Sequence, residues 1–184
     1  VSGSTWPEDE KLIVEYINNT SQPIKFVIAP HTIKNKHVEE IIESINKPVA
    51  RFSELENIAI EDYDIIIIDT IGLLTKIYSY ADLAYVGGGF VTGLHNTLEP
   101  AVFGIPVIIG PNFEGFAEAE ELVELGGVSS IKDSTQFNKL VNTYSENNKY
   151  RLKIGLTNAN YIQEKAGATK RIVDELNSVF TIKN

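Results

Sequence analysis

Cysteine and methionine are both absent from this 184-residue chain, and tryptophan occurs only once. Without cysteine there is no disulfide and no thiolate metal site, which fits a reducing compartment. Without methionine there is no initiator, so the chain is expected to be a segment of a longer protein. Long apolar runs are missing too. Ile65-Ile66-Ile67-Ile68, set between Asp64 and Asp69, reads as one buried strand and is far too short to cross a bilayer. The opening Val1-Ser2-Gly3-Ser4-Thr5-Trp6-Pro7 has neither a basic n-region nor an apolar h-region, so no signal peptide is expected. Basic charge is scarce as well. The net charge is −9 with no Lys/Arg cluster, which argues against a nucleic-acid partner and against direct contact with an anionic membrane surface.

What remains is the composition of a globular domain: 43% hydrophobic and 22% charged, enough apolar surface to build a core. No low-complexity linker or internal repeat divides the chain, so residues 1–184 are expected to form one domain. Strand and helix patterns alternate along it. Ile24 to Ala29, Val49 to Phe52, Asp64 to Asp69, Leu83 to Val86, Pro106 to Ile109 and Val128 to Ile131 read as strands. Leu12, Ile13, Tyr16 and Ile17 share one helical face. Val38, Ile41, Ile42 and Ile45 share another. Further helices are expected over residues 73–80 and 97–103, around Phe116, Ala119, Leu122 and Val123, and around Phe137, Leu140, Val141 and Tyr144, the last capped by Asp133 or Ser134. A final amphipathic helix carries Ile172, Val173, Leu176, Val179 and Phe180. Six strands separated by helices predict an α/β fold: a single Rossmann-like, doubly wound, six-stranded parallel sheet.

In such a sheet ligands bind beyond the carboxyl ends of the strands. Small and polar residues gather there: Pro30-His31-Thr32, Asp69-Thr70-Ile71-Gly72, Gly87-Gly88-Gly89-Phe90 and Gly110-Pro111-Asn112. The string from Tyr85 to Pro100 carries the most information. Three glycines after a strand let a backbone approach closely and take positive φ. Asn96 or Thr97 can cap the next helix, whose start, with a partial charge of about +0.5, suits a phosphate. Glu99, inside the first turn, is placed to chelate a ribose diol. The string is neither GxGxxG nor a P-loop.

Here the sequence resembles a known family. Gly88-Gly89-Phe90, His95-Asn96-Thr97-Leu98-Glu99-Pro100-Ala101, Phe103-Gly104-Ile105-Pro106-Val107, Gly110-Pro111-Asn112-Phe113 and the pair Glu118-Ala119 are similar, in order, to the C-terminal half of the 3-deoxy-manno-octulosonate (Kdo) transferases. Gly3 to Glu10 looks like the family's segment entering this domain. Asp69-Thr70-Ile71-Gly72 also matches, although Leu73 stands where the family often has an acidic residue. The resemblance implies the C-terminal half of a GT-B glycosyltransferase. Its activity would be transfer of Kdo from CMP-Kdo to a lipid A precursor in lipopolysaccharide biosynthesis.

That implies a donor site with no metal and no cofactor beyond the CMP-Kdo substrate. Glu99 would bind the ribose, and Asn96, Thr97 and the backbone of Gly87, Gly88 and Gly89 the phosphate. Ser4 and Thr5 would approach the donor, Ile71 and Gly72 would line the base pocket, and Pro30 and His31 would border the nucleotide. The catalytic base would belong to an N-terminal acceptor domain absent from this chain, so no catalytic residue is expected in it, and the isolated chain would be inactive. Acceptor binding and membrane contact would fall to that absent domain, placing the full protein in the cytoplasm at the face of the bacterial inner membrane.

Plainer readings apply elsewhere. Trp6 is expected to pack the first helix, His37 to sit on a solvated helix face, and His95 to start a helix or meet a ligand. Glu118, Glu120, Glu121 and Glu124 surround an apolar stripe. Two other readings compete for the whole chain: the donor half of another GT-B enzyme, such as a UDP-sugar transferase or epimerase, and a non-enzymatic flavodoxin-like module. The latter lacks the acidic cluster a receiver needs after its first strand.

Overall fold

Strand and helix alternate along the computed structural model, which describes residues 1–57, 59–91 and 93–181. The order is β1 (Ser2–Thr5), α1 (Pro7–Asn19), β2 (Phe26–Pro30), α2 (Asn35–Ser44) and β3 (Val49–Arg51). Two 3₁₀ turns (Phe52–Asn57 and Ile60–Asp62) lead to β4 (Ile65–Ile67), α3 (Leu74–Tyr78), β5 (Ala84–Val86), α4 (Leu98–Ala101) and β6 (Val107–Ile109). Then come α5 (Ala117–Leu125), β7 (Val128–Ser130), α6 (Ser134–Glu146), α7 (Asn148–Lys165) and α8 (Ala168–Thr181). Among the described residues the strands form one seven-stranded sheet in the order β3-β4-β2-β1-β5-β6-β7. Every pairing is parallel.

The expected parallel α/β layer is present, with one strand more than the sequence pattern suggested. The extra strand is β1, and it is central. Ser-Gly-Ser-Thr has no apolar alternation to mark it; its register is set by β2 and β5 on either side, with Ser2 opposite both Ile28 and Tyr85. From β1 the chain builds one flank of the sheet, then returns to β1's other side with β5. The strand order therefore reverses between β1 and β5, and the carboxyl side of such a reversal is where a parallel sheet binds its ligands.

Both faces of the sheet are covered. Tyr85 and Ile108 point to the side holding Ile13 and Ile17 of α1, Val38 and Ile41 of α2, and Phe137 and Val141 of α6. Ala84, Val86, Val107 and Ile109 point to the other side, against Tyr78, Ala101, Leu122 and Tyr161. The period of two within β5 and β6 thus feeds two cores, so these strands read as unbroken apolar runs.

Local signals set the helix ends. Pro7 opens α1 and the Asp9 carboxylate reaches back to the Trp6 N–H at 2.9 Å. Asp133 caps α6 by accepting from the Gln136 N–H at 2.8 Å. Gly126, at φ +80°, ends α5. The helix expected over residues 97–103 is only α4, a single turn. The helix α7 escapes a reading by apolar spacing because its buried positions are Gly155, Asn158 and Tyr161. A Cβ at Gly155 would land on the Gly104 carbonyl. Asn158 donates to the carbonyls of Ile105 at 2.7 Å and Gly127 at 2.9 Å. Ile172, Val173 and Leu176 of α8 are exposed; the side chains of Val179 and Phe180 lie outside the described residues. No described helix is long and apolar enough to cross a membrane.

Candidate functional site

At the β1–β5 reversal the two strand ends are pressed together. Ser4 takes φ +52°, and the register of β1 shifts between Gly3 and Thr5. A side chain on Gly87 would collide with the Ser4 carbonyl, and one on Gly89 would lie 2.8 Å from the Gly110 nitrogen. Gly88 turns the chain at φ +93°. The glycine triplet thus serves close backbone approach on both sides, to β1 and to the loop after β6.

Beneath this turn lies Asp9, fully buried. Its carboxylate accepts from the Tyr85 hydroxyl at 2.5 Å, the Trp6 N–H at 2.9 Å and the Gly88 N–H at 3.0 Å. Three donors satisfy a charge that burial alone would make costly. Next to it Glu10 accepts from the Thr5 hydroxyl and from His37 Nε2, both at 3.1 Å. Burial pushes the Glu10 carboxyl up, against the pull of His37 and Thr5. His37 is therefore not a solvated residue as expected, but the partner of a buried acid; only 20% of its side chain is exposed.

Above the turn three rings meet. Trp6 stacks on His31 with centroids 4.6 Å apart and planes 15° apart, and His31 lies 4.9 Å from His95. The indole N–H donates to His95 Nε2 at 3.2 Å. Trp6 thus caps the site as well as opening α1. Burial and the neighbouring His31 lower the His95 pKa below its ordinary value, against Asp9 and Glu99.

The candidate residues from the sequence sit along this edge. Ser4 and Thr5 end β1, Pro30 ends β2, and the His31 N–H donates to the Thr5 carbonyl at 2.9 Å. Asn96, Thr97 and Glu99 lie at the start of α4. The Thr75 hydroxyl of α3 reaches Glu99 at 3.4 Å, which ties α4 to the segment following Ile71 and Gly72. Ile71 is 87% exposed, an unusual position for so apolar a side chain. Gly72, at φ +87°, is open to solvent. Thr92, inside the string that carried most of the sequence signal, lies outside the described residues.

One expectation needs correction. The Gly87 N–H donates to the Gly3 carbonyl at 2.9 Å and the Gly88 N–H to Asp9, so neither is free for a phosphate. Of the triplet, only the Gly89 N–H has no partner among the described residues. Asn96 Oδ1 accepts the Leu98 N–H at 3.0 Å, and Thr97 is buried. With α4 one turn long, its dipole is also smaller than that of a full helix. The start of α1 offers no substitute, because Glu8, Asp9 and Glu10 crowd its first turn with negative charge.

Asp9, Glu10 and Tyr85 went unrecognised as site residues in the sequence. Asp9 stands two residues after Pro7, a spacing that suits a helix cap, but its role beneath the glycine turn depends on Tyr85, 76 positions away.

No family model matches the chain. It is 32% identical over 144 residues to the 3-deoxy-D-manno-octulosonic acid transferase of Chlamydophila psittaci, covering 77% of this chain and 33% of that protein. It is 29% identical over 182 residues to the transferase of the same name in Rickettsia prowazekii, covering 95% of this chain and 39% of that one. The chain therefore spans well under half the length of these curated relatives. Among solved structures, the C-terminal CMP-Kdo binding domain of WaaA from Acinetobacter baumannii superposes with a TM-score of 0.79 at 22% identity, over 88% of this chain and 87% of that one. At that identity the likeness is one of fold.

Proposed function

We propose that this chain, which belongs to the Kdo transferase family and spans roughly a third of those proteins' length, binds CMP-Kdo where β1 meets β5. The full protein would transfer Kdo from that donor to a lipid A precursor. The observation that carries this reading is the meeting of Gly87 to Gly89 with the end of β1 where the strand order reverses, with Glu99 close enough to act on His95, which lies over Gly88. In a parallel sheet such a reversal is where a nucleotide lies.

The roles follow from the chemistry of each group. Glu99, held among the described residues only by a long contact to Thr75, has carboxylate oxygens to offer a ribose diol. The Gly89 amide and the Asn96 side-chain amide are donors for the phosphate, fewer than the sequence suggested. The exposed Ile71 beside Gly72 provides an apolar surface for the base. Ser4 and His31 form the near wall, while Thr5 and Pro30 are buried at the same strand ends and the Thr5 hydroxyl is taken by Glu10. This donor site calls for no metal. The acceptor, the base that deprotonates it and the contact with the inner-membrane face are assigned to the remainder of the longer protein.

Calorimetric titration of the chain with CMP, UMP and UDP tests the reading. CMP is expected to bind and the uridine nucleotides to bind more weakly. Preference for UDP would move the chain to the UDP-sugar enzymes, and silence with all three would remove the nucleotide site. The isolated chain is expected to transfer no Kdo.

A further inference from the structure

We infer that Trp6 is a positioning residue that holds His95 as the neutral imidazole carrying its proton on Nδ1, so that a hydrogen-bond donor faces the anionic part of the bound donor. The ligand half of this inference rests on the CMP-Kdo reading. The Trp6–His95 half rests on geometry alone.

An indole nitrogen can only donate. The 3.2 Å bond from Trp6 Nε1 to His95 Nε2 therefore makes Nε2 the acceptor and leaves the proton of a neutral ring on Nδ1. A doubly protonated ring would set two N–H groups against each other and break the bond. The backbone fixes the rest. The His95 N–H donates to the Gly87 carbonyl at 3.2 Å, and the ring's Cδ2 edge lies over Gly88, 3.1 Å from where a Cβ would stand. With Nε2 and Cδ2 so occupied, Nδ1 is the polar atom left over, and it makes no hydrogen bond among the described residues.

The groups facing His95 are Trp6 and Asp9 from the start of α1, His31 from the end of β2 and Glu99 from α4. The two carboxylates favour a cation, but one is already saturated by three donors. Burial and His31 oppose the cation and prevail, consistent with an imidazole that stays neutral beside Trp6. Stacking of Trp6 on His31 at 4.6 Å fixes the indole plane, and with it the direction of its N–H.

The test uses the chain labelled with ¹⁵N-histidine, followed by long-range proton–nitrogen correlation spectra across pH. In the free wild type at neutral pH, His95 is expected to show the Nδ1–H pattern. Trp6→Phe keeps a ring on His31 but removes the N–H, so His95 is expected to shift toward the Nε2–H form and its pKa toward the ordinary value. The same variant is expected to lose roughly tenfold in CMP affinity, a single hydrogen bond's worth, with cytidine binding unchanged. A wild type showing Nε2–H or an even mixture overturns the inference, and so does a His95 spectrum indifferent to Trp6→Phe. Equal loss of CMP and cytidine overturns the anionic role. If the wild type binds no CMP, the donor-site reading fails together with the ligand half, while its own spectra still decide the pairing. Should Trp6→Phe not fold, the tautomer and titration of wild-type His95 decide between the two outcomes.

Discussion

The Tyr85 hydroxyl donates to Asp9 Oδ1 at 2.5 Å, joining the middle of β5 to the first turn of α1. Burial, with the adjacent Asp9 carboxylate, pushes the Tyr85 pKa far up, so the phenol remains a donor at every working pH. The same carboxylate holds the Gly88 and Trp6 amides, so one buried side chain ties the end of β5 to the start of α1.

Removing that link should therefore weaken the fold and the site together. Tyr85→Phe is expected to cost about 1.5–3 kcal/mol, the range for a hydrogen bond to a charged group. Asp9→Ala should cost more, since it strands three donors. Urea unfolding measures both, and a change within error for Asp9→Ala contradicts the role given to it.

A second expectation concerns α7. Gly155→Ala puts a methyl onto the Gly104 carbonyl and should destabilise by about 1–3 kcal/mol, the usual cost of overpacking. The alanine's better helix propensity offsets less than about 1 kcal/mol of this. A melting temperature equal to or above wild type would show that α7 can back away.

Stability should also depend on pH through Glu10. Burial raises the pKa of its folded carboxyl above the ordinary 4.5, against the pull of His37 and Thr5. Between 4.5 and that raised value the folded chain holds more protons than the unfolded one, so stability falls as pH climbs through the window. Glu10→Gln should flatten the profile, and denaturant titrations at several pH values compare the two chains.

Glu99→Ala bears on the donor site directly. Its only polar contact among the described residues is the 3.4 Å bond to Thr75, so the melting temperature should hold. CMP affinity should drop by roughly tenfold to a hundredfold, equivalent to about 1.5–3 kcal/mol. Unchanged affinity by calorimetry counts against ribose binding at this position.

These residues also mark how far the sequence could be read. The flanking strands announce themselves as short apolar runs, and the helices α1, α2, α5 and α6 by an apolar face of regular period. The glycine triplet and Glu99 stand out because backbone approach and helix-start chemistry need those residue types. The central strand β1 is hidden, since its conformation comes from neighbours on both sides and not from Ser-Gly-Ser-Thr itself. The helix α7 is hidden for a related reason: Gly155 and Asn158 face the interior, where the requirement is for small size and two hydrogen bonds. Asp9, His37 and Trp6 were visible as residues but not as partners. Tyr85 lies 76 positions from Asp9 and His95 lies 89 from Trp6, distances at which no local pattern speaks.

The place of β1 bears on how the chain is made. The ribosome releases Ser2–Thr5 ahead of both neighbours, β2 and, much later, β5. Until β5 emerges the nascent sheet keeps an open edge at β1, and β6 and β7 can join only through β5. Closure across so long a sequence separation is slow. Maturation of this domain is thus expected to wait on Ser2–Thr5 being met by Ala84–Val86, a strand from near the middle of the chain.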